Sequence, residues 1–109
     1  MSVQMENKDK IERIARISKA LSHPTRVAII LFLARQETCF FGDISEIFHV
    51  SKPTISQHLK ELKDAGLIHS TVEITKTKYC ICPESWELAR LLFGDFFSTQ
   101  IKNKEKCCP

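Results

Sequence analysis

Apolar residues recur along this chain with two different periods, and the change of period divides it into helices and strands. From Lys8 to Leu21 they fall at Ile11, Ile14, Ile17 and Leu21, the spacing of a one-sided helix. After "SHPTR", where Pro24 suits a first helical turn, Thr25 to Ala34 is apolar nearly all round and predicts a buried central helix. A short third helix fits "GDISEIFHV", with Ile44, Ile47 and Phe48 on one face. The fourth lies in "SKPTISQHLKELKDAGLI". There Ser51 is a natural N-cap, Pro53 fits the first turn, and Gly66 follows the last turn. Its buried stripe is Ile55, Leu59 and Leu62.

Opposite that stripe lie Pro53, Gln57, Lys60 and Asp64, flanked by Thr54 and Ser56. The first two turns thus carry short polar side chains and a lysine, which can approach base edges and phosphates, while Glu61 and Asp64 come later. A helix that reads the major groove docks by its N-terminal part, so the order suits that task. A plain solvated face is the competing reading, and the segment beyond Gly66 decides between them. "LIHSTVEITKTKYCIC", Leu67 to Cys82, is rich in β-branched residues and predicts two short strands with "EITKTK" at their tip. A hairpin carrying Lys76 and Lys78 directly after a helix-turn-helix is a wing, placed to touch the phosphate backbone.

Pro83 then opens a last helix bearing Trp86, Leu88, Ala89, Leu91, Leu92, Phe93, Phe96 and Phe97, more apolar surface than one small domain covers. Such an excess marks a partner interface, and a two-fold DNA reader needs one. The expected fold is mainly α with a small β-hairpin, a winged helix-turn-helix that dimerises through its first and last helices. Residues 1–102 form this domain and residues 103–109 a tail rich in Lys and Cys.

Composition narrows the function. A chain of 109 residues with 43% hydrophobic content supports one modest core, and a net charge of +3 suits an anionic partner. The longest apolar run, "VAIILFLA", is too short to cross a bilayer, and the polar N-terminus lacks a signal peptide's apolar centre. A cytoplasmic location with reduced thiols is therefore expected, without a membrane partner. Five cysteines, an odd number, argue against a closed set of intrachain disulfides. A prenylation box needs Cys fourth from the end, where Lys106 stands. The three glycines form no phosphate-cradling loop, and no nucleophile and base stand in a recognised pattern, so an enzyme is not expected.

"ALSHPTRVAIILFL", "SKPTISQHLKELKDAGLI" and "KYCICPESW" together resemble the ArsR/SmtB family of winged-helix repressors, over about Ile14 to Phe97. The resemblance implies a homodimer on double-stranded operator DNA near its own promoter, released by an inducer that is often a metal ion or arsenite. By position, Ser51, Lys52, Thr54, Ser56, Gln57, His58 and Lys60 fall in the family's DNA-contacting stretch, with Lys76 and Lys78 on the wing. His58 lies beside the buried stripe, so a packed structural role competes with a contact to DNA.

Zinc-sensing relatives place Asp and His ligands on the last helix, and this one has Asp95 but no His. Where arsenic repressors carry "ELCVCDLC", this chain reads "ETCFFGDIS", which keeps only the first cysteine, Cys39. Cys39 has a second reading as a small packed residue, and Cys80 and Cys82, alternating on a strand, are expected to be buried against the helices. Cys107 and Cys108 have nothing to bury against in a charged tail. A frayed end is one account of them. The other is that adjacent thiols grip one soft ion, since soft ions select thiolate. Trivalent arsenic takes three sulfurs in a pyramid, so Cys107 and Cys108 with Cys39, or with Cys80 or Cys82, would form an inducer site for As(III) or Sb(III). No resident cofactor is required. Switching of the same repressor by cysteine oxidation or by another soft metal is the alternative, and a soft-metal carrier is a further one that leaves the helix and wing unexplained.

Overall fold

The computed structural model describes residues 3–103 and 105, with side chains from residue 7 onward. Its elements run α1 (Val3–Ala20), α2 (Pro24–Ala34), β1 (Phe40–Phe41), α3 (Ile44–Phe48), α4 (Lys52–Asp64), β2 (Ile68–Glu73), β3 (Lys76–Ile81) and α5 (Pro83–Phe97). No single helix is long and apolar enough to cross a membrane among the described residues.

α1 starts five residues before the periodic stretch that begins at Lys8. Val3 to Asn7 extend a helix already nucleated by the periodic stretch. At the start of α2, His23 is the N-cap: its Nδ1 accepts from the Thr25 N–H at 3.1 Å, and Pro24 occupies the first turn. The apolar run of α2 predicts burial all round. Instead the helix buries Ile29, Ile30 and Leu33 and leaves Val27 and Leu31 open, because the domain supplies too few partners to wrap it.

Asp43 caps α3 by accepting from the N–H and hydroxyl of Ser45. These bonds are the first cause that holds its carboxyl below the usual range, joined by the attraction of Lys52. The turn into α4 passes through His49 at φ 53, a left-handed conformation that closes the helix. Gly66, at φ 77, does the same for α4. Its N–H bonds to the Lys63 carbonyl at 2.9 Å and the next N–H, of Leu67, to Leu62 at 3.1 Å, a Schellman closure.

The expected hairpin is one part of a three-stranded antiparallel sheet with the order β1-β3-β2. β2 and β3 pair from Ile68↔Ile81 to Glu73↔Lys76, which leaves Ile74 and Thr75 as a two-residue turn. Neither residue takes a positive φ, so the turn needs no glycine. β1, unforeseen in the sequence, adds Phe40↔Tyr79 and Phe41↔Lys78. Gly42 then bends the chain into α3 at φ 142, where a Cβ would sit 3.2 Å from the Phe40 ring. One core joins the layers: Ile17 and Ala20 of α1, Ile29, Ile30 and Leu33 of α2, Ile55, Leu59 and Leu62 of α4, Leu67, Ile68, and Ala89 and Leu92 of α5.

Candidate nucleic-acid interface

α4 presents its outer face because Ile55, Leu59 and Leu62 anchor the opposite one in the core. Ser51, Lys52, Thr54, Ser56, Gln57 and Lys60 are all exposed, a continuous polar surface along the N-terminal half of the helix. The Ser51 hydroxyl donates to Thr54 Oγ1 at 2.9 Å, and Ser51 makes no side-chain bond to the helix backbone. Between this face and the wing lies a cleft of 340 Å³, with Lys52, Ile55 and Ser56 on one wall and Thr75, Lys76 and Thr77 on the other. Lysines thus stand on both lips.

The expected contact residues divide on one point. His58 does not face the cleft: it is 7% exposed and belongs to the core. Its Nδ1 accepts from Arg26 Nε at 3.1 Å, and its ring lies 4.4 Å from that of His23. Burial first, then the charges of His23 and Arg26, hold its pKa below the ordinary histidine value. His58 therefore ties α4 to the start of α2 and does not line the cleft. Lys76 is exposed, whereas Lys78 is half-buried with its Nζ 5.7 Å over the Phe41 ring.

Carboxylates hold two of the lysines in place. Lys60 Nζ donates to Asp64 at 2.9 Å, which raises the lysine pKa and lowers that of the acid, and Lys52 Nζ lies 3.6 Å from Asp43. Exposed pairs of this kind are weak and readily exchanged for a phosphate. Arg16 of α1 donates to the Asp64 main-chain carbonyl through Nε at 3.1 Å and through a second nitrogen, so α1 grips the C-terminal end of α4. Arg16 and Arg26 were not legible as site residues. Their partners lie 48 and 32 positions away, beyond any local spacing rule.

The thiols fall out differently from the expectation. Cys39 and Cys80 are joined in a disulfide, with Cα atoms 4.7 Å apart. An odd cysteine count does not prevent one closed pair. Cys80 is buried as expected, but by bonding to Cys39 as well as by packing. Cys82 is the N-cap residue of α5 and carries a free, half-buried thiol whose pKa burial pushes up, with Glu84 adding to the shift. Cys107 and Cys108 lie outside the described residues. Among the described residues no three His, Cys, Asp or Glu side chains are grouped to hold a metal.

A three-helix core, a helix-turn-helix ending in an exposed polar helix, and a basic hairpin define a winged helix-turn-helix DNA-binding protein. The comparisons with known proteins agree. The model of the "Bacterial regulatory protein, arsR family" matches residues 23–70. The transcriptional regulator YgaV of Escherichia coli (strain K12) is 34% identical over 74 residues, which is 68% of this chain and 75% of that protein. The regulator MJ1325 of Methanocaldococcus jannaschii is 37% identical over 73 residues, 67% of this chain and 82% of that one. The repressor BigR from Xylella fastidiosa shares the fold, with a TM-score of 0.64 at 22% identity over 93% of this chain and all of that one. This chain belongs to the ArsR family of transcriptional regulators and is not an enzyme.

Proposed function

We propose that the chain acts as a homodimeric repressor that grips two-fold operator DNA and leaves it when a thiol-directed inducer binds. The observation that carries the DNA reading is the cleft with Lys52 and Lys76 on opposite lips, beside the exposed arc of Ser51, Thr54, Ser56 and Gln57. In the proposed complex the first turns of α4 enter the major groove, Gln57 meets a base edge, and Lys52, Lys60, Lys76 and Lys78 meet phosphates. Support for the dimer comes from α5, where Leu88, Leu91, Phe96 and Phe97 are exposed, and from Ile11 of α1. A face of this size open to water favours a second copy.

The inducer reading rests on thiol chemistry. As(III) or Sb(III) is the proposed ligand, bound by Cys107 and Cys108 with a third sulfur from Cys39, Cys80 or Cys82. Cys82 supplies that sulfur without any prior step, whereas Cys39 and Cys80 do so only after their bond is reduced. The same bond favours a second reading, in which oxidation state is the signal. Purified dimer on a duplex covering the DNA upstream of its own gene separates the two. Release by arsenite or antimonite but not by peroxide or thiol reagents supports the first, the reverse supports the second, and no binding to the duplex sinks both.

A further inference from the structure

Two arginines from the scaffold helices hold α4, and one of them reaches its middle. Arg16 of α1 takes the carbonyl at the C-terminal end of α4. Arg26, half-buried in the first turn of α2, spreads its guanidinium between two acceptors. Its Nε donates to His58 Nδ1 at 3.1 Å and its Nη1 to the Lys19 main-chain carbonyl at 3.1 Å. That carbonyl also accepts from the Ser22 hydroxyl at 2.7 Å and the Ser22 N–H at 3.2 Å. One side chain therefore joins the end of α1, the start of α2 and the middle of α4. Among the described residues Arg26 makes no ion pair with a carboxylate. An arginine is always protonated, so this bond fixes His58 Nδ1 as an acceptor and puts the ring's proton on Nε2.

We infer that Arg26 and His58 are positioning residues for DNA reading: their bond sets the rotation of α4 about its axis, and it gives way when His58 takes a proton. This rests on the DNA reading proposed above. His58 follows Gln57 directly and stands four residues after Thr54, so a change at this joint turns the face that those side chains present. Side-chain tips stand about 5–6 Å from a helix axis, and a rotation of about 10° moves them about 1 Å. Good hydrogen-bond lengths span only about 0.5 Å, so a turn of that size is enough to lose a base edge.

The surroundings of the ring oppose a second proton. His58 is buried, and the charged groups that act on it are His23 and Arg26, both from α2. α1 contributes Lys19, through the carbonyl that Arg26 also holds. On α4 itself Glu61, one turn further on, lines a separate cleft with Arg16, Lys19 and Asp64. Burial first, and then His23 and Arg26, keep the ring neutral to a lower pH than an ordinary histidine. A proton taken up at Nδ1 replaces the acceptor with an N–H that faces the Arg26 Nε–H across 3.1 Å, with the His23 ring 4.4 Å away. Two cations then meet donor to donor. The free protein relieves this by letting Arg26 and α4 move apart. On DNA the groove holds α4 in place, so the protonated form fits the bound state worse and acid weakens binding.

Binding of the full chain to the upstream duplex is read by fluorescence anisotropy from pH 7.5 to pH 5.0 at constant ionic strength, over the range where circular dichroism finds each protein folded. His58→Asn puts an amide oxygen where Nδ1 stood and does not titrate, so it keeps the acceptor and removes the proton site. His58→Gln takes its place if that variant does not fold. Exposed His23, His49 and His69 gain charge in acid and favour DNA in parent and variant alike, so the two are compared at each pH. They should bind equally at pH 7.5, and the parent should fall about tenfold behind by pH 5.0, within the roughly 5–150-fold range common for coupled sites. Arg26→Lys keeps the charge but lacks the fork that spans both acceptors. It should narrow the affinity ratio between upstream and unrelated duplex about tenfold at pH 7.5, with the salt slope and the dimer unchanged. Parallel profiles for the parent and the His58 variant, or full discrimination by Arg26→Lys, would overturn the inference. If the parent binds no duplex at pH 7.5, the DNA reading fails, and imidazole nitrogen resonances of the free protein decide the joint: a His58 that carries its proton on Nδ1, or titrates like an exposed histidine, refutes it.

Discussion

Replacing Leu91 with Asp tests the dimer where the chain's own fold is least involved. Leu91 is 62% exposed, on the same helix as Phe97 at 76%, and it is absent from the buried core. Phe93 would be a poorer choice, because it packs against that core and its loss would confound folding with association. Burying a whole leucine is worth about 1.5–3 kcal/mol, so covering the 62% left open gains about 1–2 kcal/mol per copy. Aspartate forfeits that and must also be desolvated in an apolar contact, which brings the loss to about 3 kcal/mol per copy or more. Two-fold symmetry counts it twice, about 6 kcal/mol, which raises the dimer dissociation constant by about four powers of ten. Sedimentation equilibrium should find parent dimer and L91D monomer at the same micromolar concentration, with unchanged circular dichroism. A variant that dimerises within tenfold of the parent would place the interface elsewhere.

Three more outcomes are expected from the same geometry. Lys52→Ala and Lys76→Ala should each lower the slope of log affinity against log salt by about one, while Gln57→Ala should cost about 1–3 kcal/mol on the preferred sequence and blur sequence preference, all read by anisotropy titration. The Cys39–Cys80 bond closes a loop of 41 residues, so reducing it should lower stability by about 4 kcal/mol in urea denaturation, and a loss near zero would mean the bond is absent in solution. His58, whose pKa is depressed in the fold, binds its proton more readily when unfolded. Stability from this group is complete above the unfolded value near 6.5 and is lost as pH falls through the folded one, so the urea midpoint of the parent should drop further between pH 7.5 and pH 5.5 than that of His58→Gln. An equal drop in both would rule His58 out as the source.

Local rules carry the sequence reading a long way and stop at long-range contacts. Proline at the helix starts and Gly66 after α4 mark boundaries through backbone physics that needs no neighbours. The stripe of Ile55, Leu59 and Leu62 sets which side of α4 faces out, so the exposed arc was legible as well. β1 was not, because two residues carry no period and gain strand structure only by lying against β3. The same pairing explains the disulfide: Cys39 and Cys80 are 41 residues apart, and nothing short of the sheet register brings them together. His58 carried an ambiguity that spacing could not remove. It sits at the edge of the buried stripe, and the Arg26 guanidinium, arriving from another helix, turns it inward.

In the proposed complex two copies of this winged domain straddle one operator. Methylation-interference footprinting of the oxidised dimer on the duplex upstream of its gene addresses it directly. Two major-groove half-sites should appear, about 10–10.5 base pairs apart or a multiple of that, and related by two-fold symmetry. Ethylation interference on the same duplex should mark phosphates on the outer flank of each, contacted by the wings carrying Lys76. A single isolated half-site, or interference spread evenly over the duplex, would rule out this two-fold arrangement.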